Sequence, residues 1–231
     1  MIILPSAKGF PRKPALIKDP FFSSVKLLMH CDGSQGGTIF TDSSLVNKSI
    51  TIRAEPAYYY SVGTVITTQS TAKFGTASLN TNAGILSFSK TDMNFTTAAW
   101  TVEFWMKPPS VSGYWYSDVF NSGYNPDLII QLTAGRSIVL NGYLLGPYTD
   151  NYYNTNTWYH IALVRSNNTL YYFIDGVLSE AGDASSYYFT NGRSEFWIGR
   201  FSGLLDEIRI TMGVARYTSN FSVPILAFPN S

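Results

Sequence analysis

The chain has 231 residues, the length of one large β domain or two small ones. Charged residues make up only 13% of it, against about 25% in an ordinary soluble domain, while aromatic residues reach 16%. This balance favours β structure over helix bundles and disorder, and a net charge of +1 supplies no field for nucleic acid or an anionic membrane surface.

Residues 1–24 carry Pro5, Pro11, Pro14 and Pro20 and no regular period, so they read as an extended N-terminal arm. The arm is apolar at Ile2, Ile3, Leu4, Phe10, Phe21 and Phe22, which suits an anchor on a partner as well as it suits a frayed terminus. Met1–Pro5 is too short for a secretory core, and Arg12-Lys13 follows it rather than preceding it, so synthesis in a cytoplasm is expected. No apolar run approaches the ~18 residues of a membrane helix, so no membrane insertion is expected. Cys31 is the single cysteine, so no intrachain disulfide supports the fold.

A domain over 25–231 follows, built of short strands and turns. Val25–His30 is a strand that ends in the turn-rich segment Asp32–Gly37. Thr101–Lys107 is a strand stopped by Pro108-Pro109. Leu128–Leu132 and Ser137–Leu140 flank Gly135-Arg136 as a hairpin. Trp158–Arg165 alternates, Asn167-Asn168 turns the chain into Leu170–Ile174, and Asp175-Gly176 supplies a type I′ turn before Val177-Leu178. Glu195–Arg200 and Leu204–Thr211 are two further apolar strands. Many short strands without a helical stripe predict an all-β fold, a two-sheet antiparallel jelly-roll sandwich.

Several segments, in order, resemble the laminin-G-like, concanavalin-A-like jelly-roll family, in the version found in bacteriophage virion proteins. They are His30-Cys31-Asp32-Gly33, Lys73-Phe74-Gly75-Thr76-Ala77-Ser78-Leu79, Thr101–Trp105, Asn156–Arg165 with Ile174-Asp175-Gly176, and Leu205–Ile210 followed by Gly213–Tyr217. The resemblance covers about residues 19–223 and departs from the family at Asn80–Leu86, where an Asp-Gly and an Asp-Tyr-Leu are common. It implies a laminin-G-type sandwich. By the same resemblance Asp32, Asp42 and Asp206 are candidates for a structural calcium, although carboxylates in such turns more often cap backbone amides.

Catalytic chemistry finds little support. His30 and His160 have no paired nucleophile in the sequence and read as structural, and Cys31 reads as a small core residue. The jelly-roll glucanases that the fold resembles use Glu-x-Asp-x-x-Glu on one strand, and the chain has no such triplet. Asp206 and Glu207 are adjacent, so on a regular strand they point to opposite faces. Glu103 reads as a buried acid held by Arg165 or Arg209.

Aromatic residues cluster in turn-rich surroundings instead: Tyr58–Tyr60, Tyr114-Trp115-Tyr116, Tyr148 with Tyr152-Tyr153, and Tyr187-Tyr188. Such rings offer an apolar face and a polar tip, as glycans and protein interfaces require. Tyr114, Trp115, Tyr116, Tyr152, Tyr153 and Tyr187 are therefore the expected ligand contacts. The expected function is a non-enzymatic virion display or adhesion protein, assembled in the host cytoplasm. Its partners would be capsid or tail proteins held by the arm, a cell-surface glycan and further copies of the chain. A capsid decoration protein without a ligand is the alternative, and a glycan-cleaving enzyme ranks below both.

Overall fold

The computed structural model describes residues 18–53, 64–81, 84–108, 116–121, 128–133, 138–140, 143–145, 153–184, 194–200 and 203–231. Its first strands are β1 (Val25–Met29), β2 (Thr51–Arg53), β3 (Ile66–Thr68), β4 (Ser78–Asn80), β5 (Ile85–Ser89), β6 (Trp100–Lys107) and β7 (Tyr116–Asn121). They are followed by β8 (Ile129–Thr133), β9 (Ile138–Leu140), β10 (Tyr143–Leu145), β11 (Tyr159–Ser166), β12 (Thr169–Ile174), β13 (Val177–Asp183), β14 (Glu195–Gly199) and β15 (Leu204–Met212).

Two antiparallel sheets result. Sheet A runs β13-β12-β11-β6-β15-β4-β3, with β1 also paired to β15. Sheet B runs β10-β9-β8-β7-β14-β5-β2. The expected all-β sandwich is therefore the observed one. β2, β3, β4 and β10 have three residues each, too short to show a period in sequence.

Alternation builds the layer between the sheets. Val102, Phe104 and Met106 of β6 and Ile161 and Leu163 of β11 point inward from sheet A. Leu86 and Phe88 of β5 and Phe196 and Ile198 of β14 meet them from sheet B. Phe104 and Phe120 touch across the gap at 4.8 Å between ring centroids, and Phe196 joins Phe88 and Phe95. Burying each such ring contributes about 1.5–3 kcal/mol. Asp175 and Gly176 hold φ of +49° and +76°, which gives the turn expected between β12 and β13.

A third layer covers the outer face of sheet A. It is made of residues 18–24 and the segment after β15. Phe22 and Phe228 pack on Val25 and Leu28. Ala215, Tyr217 and Phe221 pack on Ala162, Val164 and Phe173. Phe221 donates its amide to the Gly176 carbonyl at 2.9 Å, and a Cβ on Gly176 would stand 2.1 Å from the Phe221 carbonyl oxygen. The strap can cross there only over a glycine.

Residues 19–24 were expected in the arm, but they belong to this body. Asp19 and Phe22 are buried, Phe22–Ser24 form a 3₁₀ turn, and the Asp19 amide donates to the Ser231 carbonyl at 2.7 Å. Residues 1–17 lie outside the described residues.

Candidate ligand-binding face

Two of the carboxylates singled out from sequence, Glu103 and Glu207, sit on the outer side of sheet A, and the strap binds them. Glu103 is fully buried there. It accepts from Arg209 Nε at 2.9 Å and from the Tyr217 hydroxyl at 3.0 Å, and His160 Nε2 stands 3.4 Å away. Asp19 faces the fork of Arg216 at 3.0 and 2.7 Å and also accepts from Arg209 at 3.0 Å. Two guanidiniums thus balance two carboxylates. Burial alone would raise the Glu103 pKa, but Arg209, with His160 and Arg216, pulls it down to about 2. Of the two arginines expected to hold Glu103, Arg209 does so. Arg165 donates instead to the carbonyls of Asn167 and Ala184.

A bulge at Asp206–Arg209, with Glu207 at φ +47°, overturns the expectation that Asp206 and Glu207 face opposite ways. Leu205 and Ile208 both enter the core, so the two acids between them both lie outside it. Asp206 accepts from the amides of Lys73 and Phe74 at 2.7 and 3.2 Å. Burial pushes its pKa up to about 7 against these donors, with Glu207 adding to the rise. Glu207 accepts from His30 Nδ1 at 2.9 Å and from the Phe228 amide at 2.8 Å. His30 Nε2 reaches Asn230 Oδ1 at 2.7 Å. Burial opposes charging of His30, but Glu207 outweighs it and lifts the pKa to about 8. His30 is therefore structural, as expected, and serves as a charged clasp on the strap. Cys31 is a buried thiol whose pKa burial drives well upward, as a core cysteine should be.

The calcium expectation is not supported by this arrangement. Asp42 accepts from the amides of Leu28, Ser44 and Lys48, each at 2.8–2.9 Å. Asp32 accepts from the amide and hydroxyl of Thr76. Asp206 on the Lys73–Phe74 amides and Asp32 on Thr76 cap the same segment, and Asp42 caps another, so each of the three carboxylates is taken by backbone amides. Among the described residues no group of three or more His, Cys, Asp or Glu side chains could hold a metal ion.

Of the expected ligand contacts, Tyr153 is a core residue. It is 1% exposed, its hydroxyl bonds that of Tyr172, and its ring meets Tyr159 edge-on at 4.9 Å. Tyr114, Trp115, Tyr152 and Tyr187 lie outside the described residues, and Tyr116 opens β7 opposite Thr133. β7 begins and β10 ends at one end of sheet B, the end to which Arg200 follows β14.

The outer face of sheet B has a different chemistry. Register places Thr51, Ser87, Trp197, Asn121 and Ile129 in one row across β2, β5, β14, β7 and β8. Arg53 and Arg200 set their guanidinium carbons 4.6 and 5.8 Å from the Trp197 ring centroid. Glu195 accepts from Arg53 at 2.7 Å and from the indole N–H at 3.2 Å. Ile85, Asn121, Trp197, Gly199 and Arg200 line a shallow depression. The sequence reading did not single out Trp197 or Arg200. The signal was the alternation of Glu195–Gly199, which puts Trp197 opposite the core-facing Phe196 and Ile198.

Two stacked sheets with a polar, aromatic outer face define a lectin-like β-sandwich. The chain belongs to the concanavalin A-like lectin/glucanases superfamily, whose Laminin_G_3 model matches residues 79–214. No curated protein matches the chain significantly in sequence. Among solved structures, it is similar to the binding domain of Paraclostridial Mosquitocidal Protein 1. There the TM-score is 0.65 at 14% identity, over 85% of this chain and 50% of that one. It is similar to domain 4 of AbnA, a GH43 extracellular arabinanase from Geobacillus stearothermophilus, solved in complex with arabinotriose. That likeness has a TM-score of 0.59 at 18% identity, over 83% of this chain and 94% of that one. A structure of botulinum neurotoxin type C, described by the dependence of its cell entry on two ganglioside molecules, matches with a TM-score of 0.54 at 12% identity. It covers 83% of this chain and 48% of that one. The chain thus spans about half the length of the two toxin structures. At these identities the likenesses establish the fold.

Proposed function

We propose that the chain is a non-enzymatic glycan-binding adhesion module whose binding surface is the outer face of sheet B at its Arg200 end. One observation carries the reading: sheet A's outer face is closed by the strap, whereas sheet B's carries indole, amide and guanidinium groups around a depression. The arabinotriose complex of the AbnA domain and the gangliosides of the neurotoxin are sugars bound by proteins with similar folds. Binding is favoured over cleavage because Asp19, Asp42, Glu103, Asp206 and Glu207 are each held by internal donors. None of the five stands against a second acid across a groove, as glycoside hydrolysis requires.

A glycan array probed with the whole chain tests this reading. Binding should appear and should fall on Asn121→Ala and on Trp115→Ala while the melting temperature stays put. Folded protein that binds no glycan overturns it, and sugar released from a polysaccharide overturns the non-enzymatic part.

The setting we propose is the surface of a bacteriophage particle, with the chain attached to capsid or tail proteins through its N-terminal residues. The ordered segments shared with the virion version of the family support it, as does the apolar character of residues 1–17. Deleting residues 1–17 should abolish incorporation into particles and leave a folded domain, since the described body begins at 18. Normal incorporation of the truncated chain overturns the anchoring role.

A further inference from the structure

We infer that the strap side of sheet A is a second contact surface, which seats the body on a partner protein presenting an apolar surface edged by carboxylates. This rests on the attachment through residues 1–17 proposed above, and names the part of the body that joins in it and the chemistry of what it meets. The starting point is where the chain enters the body. Residue 18 leads into Asp19, whose amide donates to the Ser231 carbonyl at 2.7 Å, so both ends of the described body meet on the outer side of sheet A. The sheet B face that carries the depression lies on the other side of the sandwich.

Exposed apolar side chains gather at that entry. Phe22, Val25, Leu28 and Phe228 form a buried cluster beside β1. Three separate segments bring exposed apolar residues to its rim. Phe21 directly precedes Phe22 and is exposed, with the Arg216 guanidinium 5.4 Å from its ring centroid. Asp42 and the Ser43 amide take both backbone groups of Leu28, at 2.9 and 2.7 Å, and the turn that follows holds Leu45, 71% exposed, and Val46. The Phe228 amide is tied to Glu207, and shortly before it stand Ile225 and Leu226, 83% and 57% exposed. A lone exposed apolar side chain needs no explanation, but a group of them round one cluster marks a surface that a partner covers.

Charge then selects the partner. Residues 1–18 carry Lys8, Arg12, Lys13 and Lys18 and no aspartate or glutamate. The acids nearest the rim are spent inside the body, Asp19 on Arg216, Asp42 on backbone amides and Glu207 on His30. The entry side therefore offers apolar contacts with positive charge beside them, and an apolar surface edged by carboxylates complements both. Burial supplies the affinity there, and the charges supply orientation and rate of encounter. A protein fits better than an anionic membrane, because the spacing of Pro5, Pro11 and Pro14 is incompatible with the amphipathic helix that lies in a bilayer surface. A second copy fits worse as well, since a two-fold contact would set one positive rim against another.

The test adds the purified full chain back to particles assembled without it. Ile225→Ser combined with Leu226→Ser should weaken binding to the particles roughly tenfold or more, with the melting temperature within ~1 °C of the unaltered chain. Val177→Ser removes a similarly exposed apolar side chain from β13, at the far edge of sheet A, and should change nothing. Binding of the unaltered chain should weaken as salt rises. Unchanged binding of the Ile225 and Leu226 variant, with binding lost on deletion of residues 1–17, overturns this inference and leaves the anchoring role standing. Particles that take up no unaltered chain overturn the anchoring role, and this inference with it. A dimer in sedimentation equilibrium that the Ile225 and Leu226 changes dissolve, or binding to phosphatidylglycerol vesicles that they abolish, overturns the assignment to a partner protein.

Discussion

The two outer faces of this sandwich start from similar strands and reach opposite ends. Both carry arginine, glutamate and aromatic side chains. On sheet A the terminal segments cross the face, and Glu103, Asp19, Arg209 and Arg216 become an internal, charge-balanced cluster with Phe228 lying 3.8 Å from the Arg209 guanidinium. On sheet B, Arg53 and Glu195 pair while 39% and 42% exposed, where water screens them. A surface ion pair of this type is worth ~0–1 kcal/mol, whereas removing one partner of a buried one costs about 3–5 kcal/mol. The same residue types are therefore buried and charge-balanced on one face and screened by solvent on the other.

Breaking the sheet A cluster should give the largest effect. Glu103→Gln leaves Arg209 without its main counter-charge, and we expect a loss of about 3–5 kcal/mol, or roughly 10 °C in melting temperature. Thermal unfolding measures it, and a shift within ~1 °C would show that the strap does not depend on this charge.

The pH dependence of unfolding sharpens the contrast further. His30 titrates at about 8 in the fold and near 6.5 unfolded, so its contribution is full below pH 6.5 and is lost as pH rises through 8. That amounts to at most about 2 kcal/mol. Asp206, raised from 3.8 to about 7, acts in the same direction over a lower range, since the unfolded chain ionises first. Glu103 works the other way, stabilising above pH 4.5 and losing its contribution as pH falls toward 2. Chemical denaturation at several pH values should therefore find maximum stability on the acid side of neutral, with a decline toward pH 9. His30→Gln should remove the alkaline part of that decline, and an unchanged profile would break the clasp.

On sheet B, Arg200→Gln should change stability by less than ~0.5 kcal/mol, since it leaves every strand pairing intact. A melting temperature several degrees lower would mean that this face, too, is structural. The smallest expected effect is that of chelation. With Asp32, Asp42 and Asp206 capping amides, EDTA should leave the melting temperature where it was, and a clear fall would reveal a bound cation.

Much of the fold was readable in advance because β6, β11, β12, β14 and β15 are long and alternate, and Asp175-Gly176 can hardly do anything but turn. Adjacent residues on a regular strand should diverge, so the shared side of Asp206 and Glu207 was not readable. It required a bulge that no local residue announces. Tyr153 reads like any other turn tyrosine, and only the position of Tyr172 on β12 shows that it fills the core. The candidate site was half legible: the pattern of Glu195–Gly199 turns Trp197 toward the outer face, but Arg53 reaches the ring from a strand 142 residues earlier than Glu195.

Composition and periodicity determined the all-β class and the inward-facing residues, because burial of alternate apolar side chains is a local demand that each strand carries in itself. Which carboxylates bind strap, turn or arginine was decided only when distant segments met. Those choices rest on pairings such as Asp19 with Arg216 and His30 with Glu207, 197 and 177 residues apart. Charge neutralisation in a buried layer is a property of the assembled face, and no single strand encodes it.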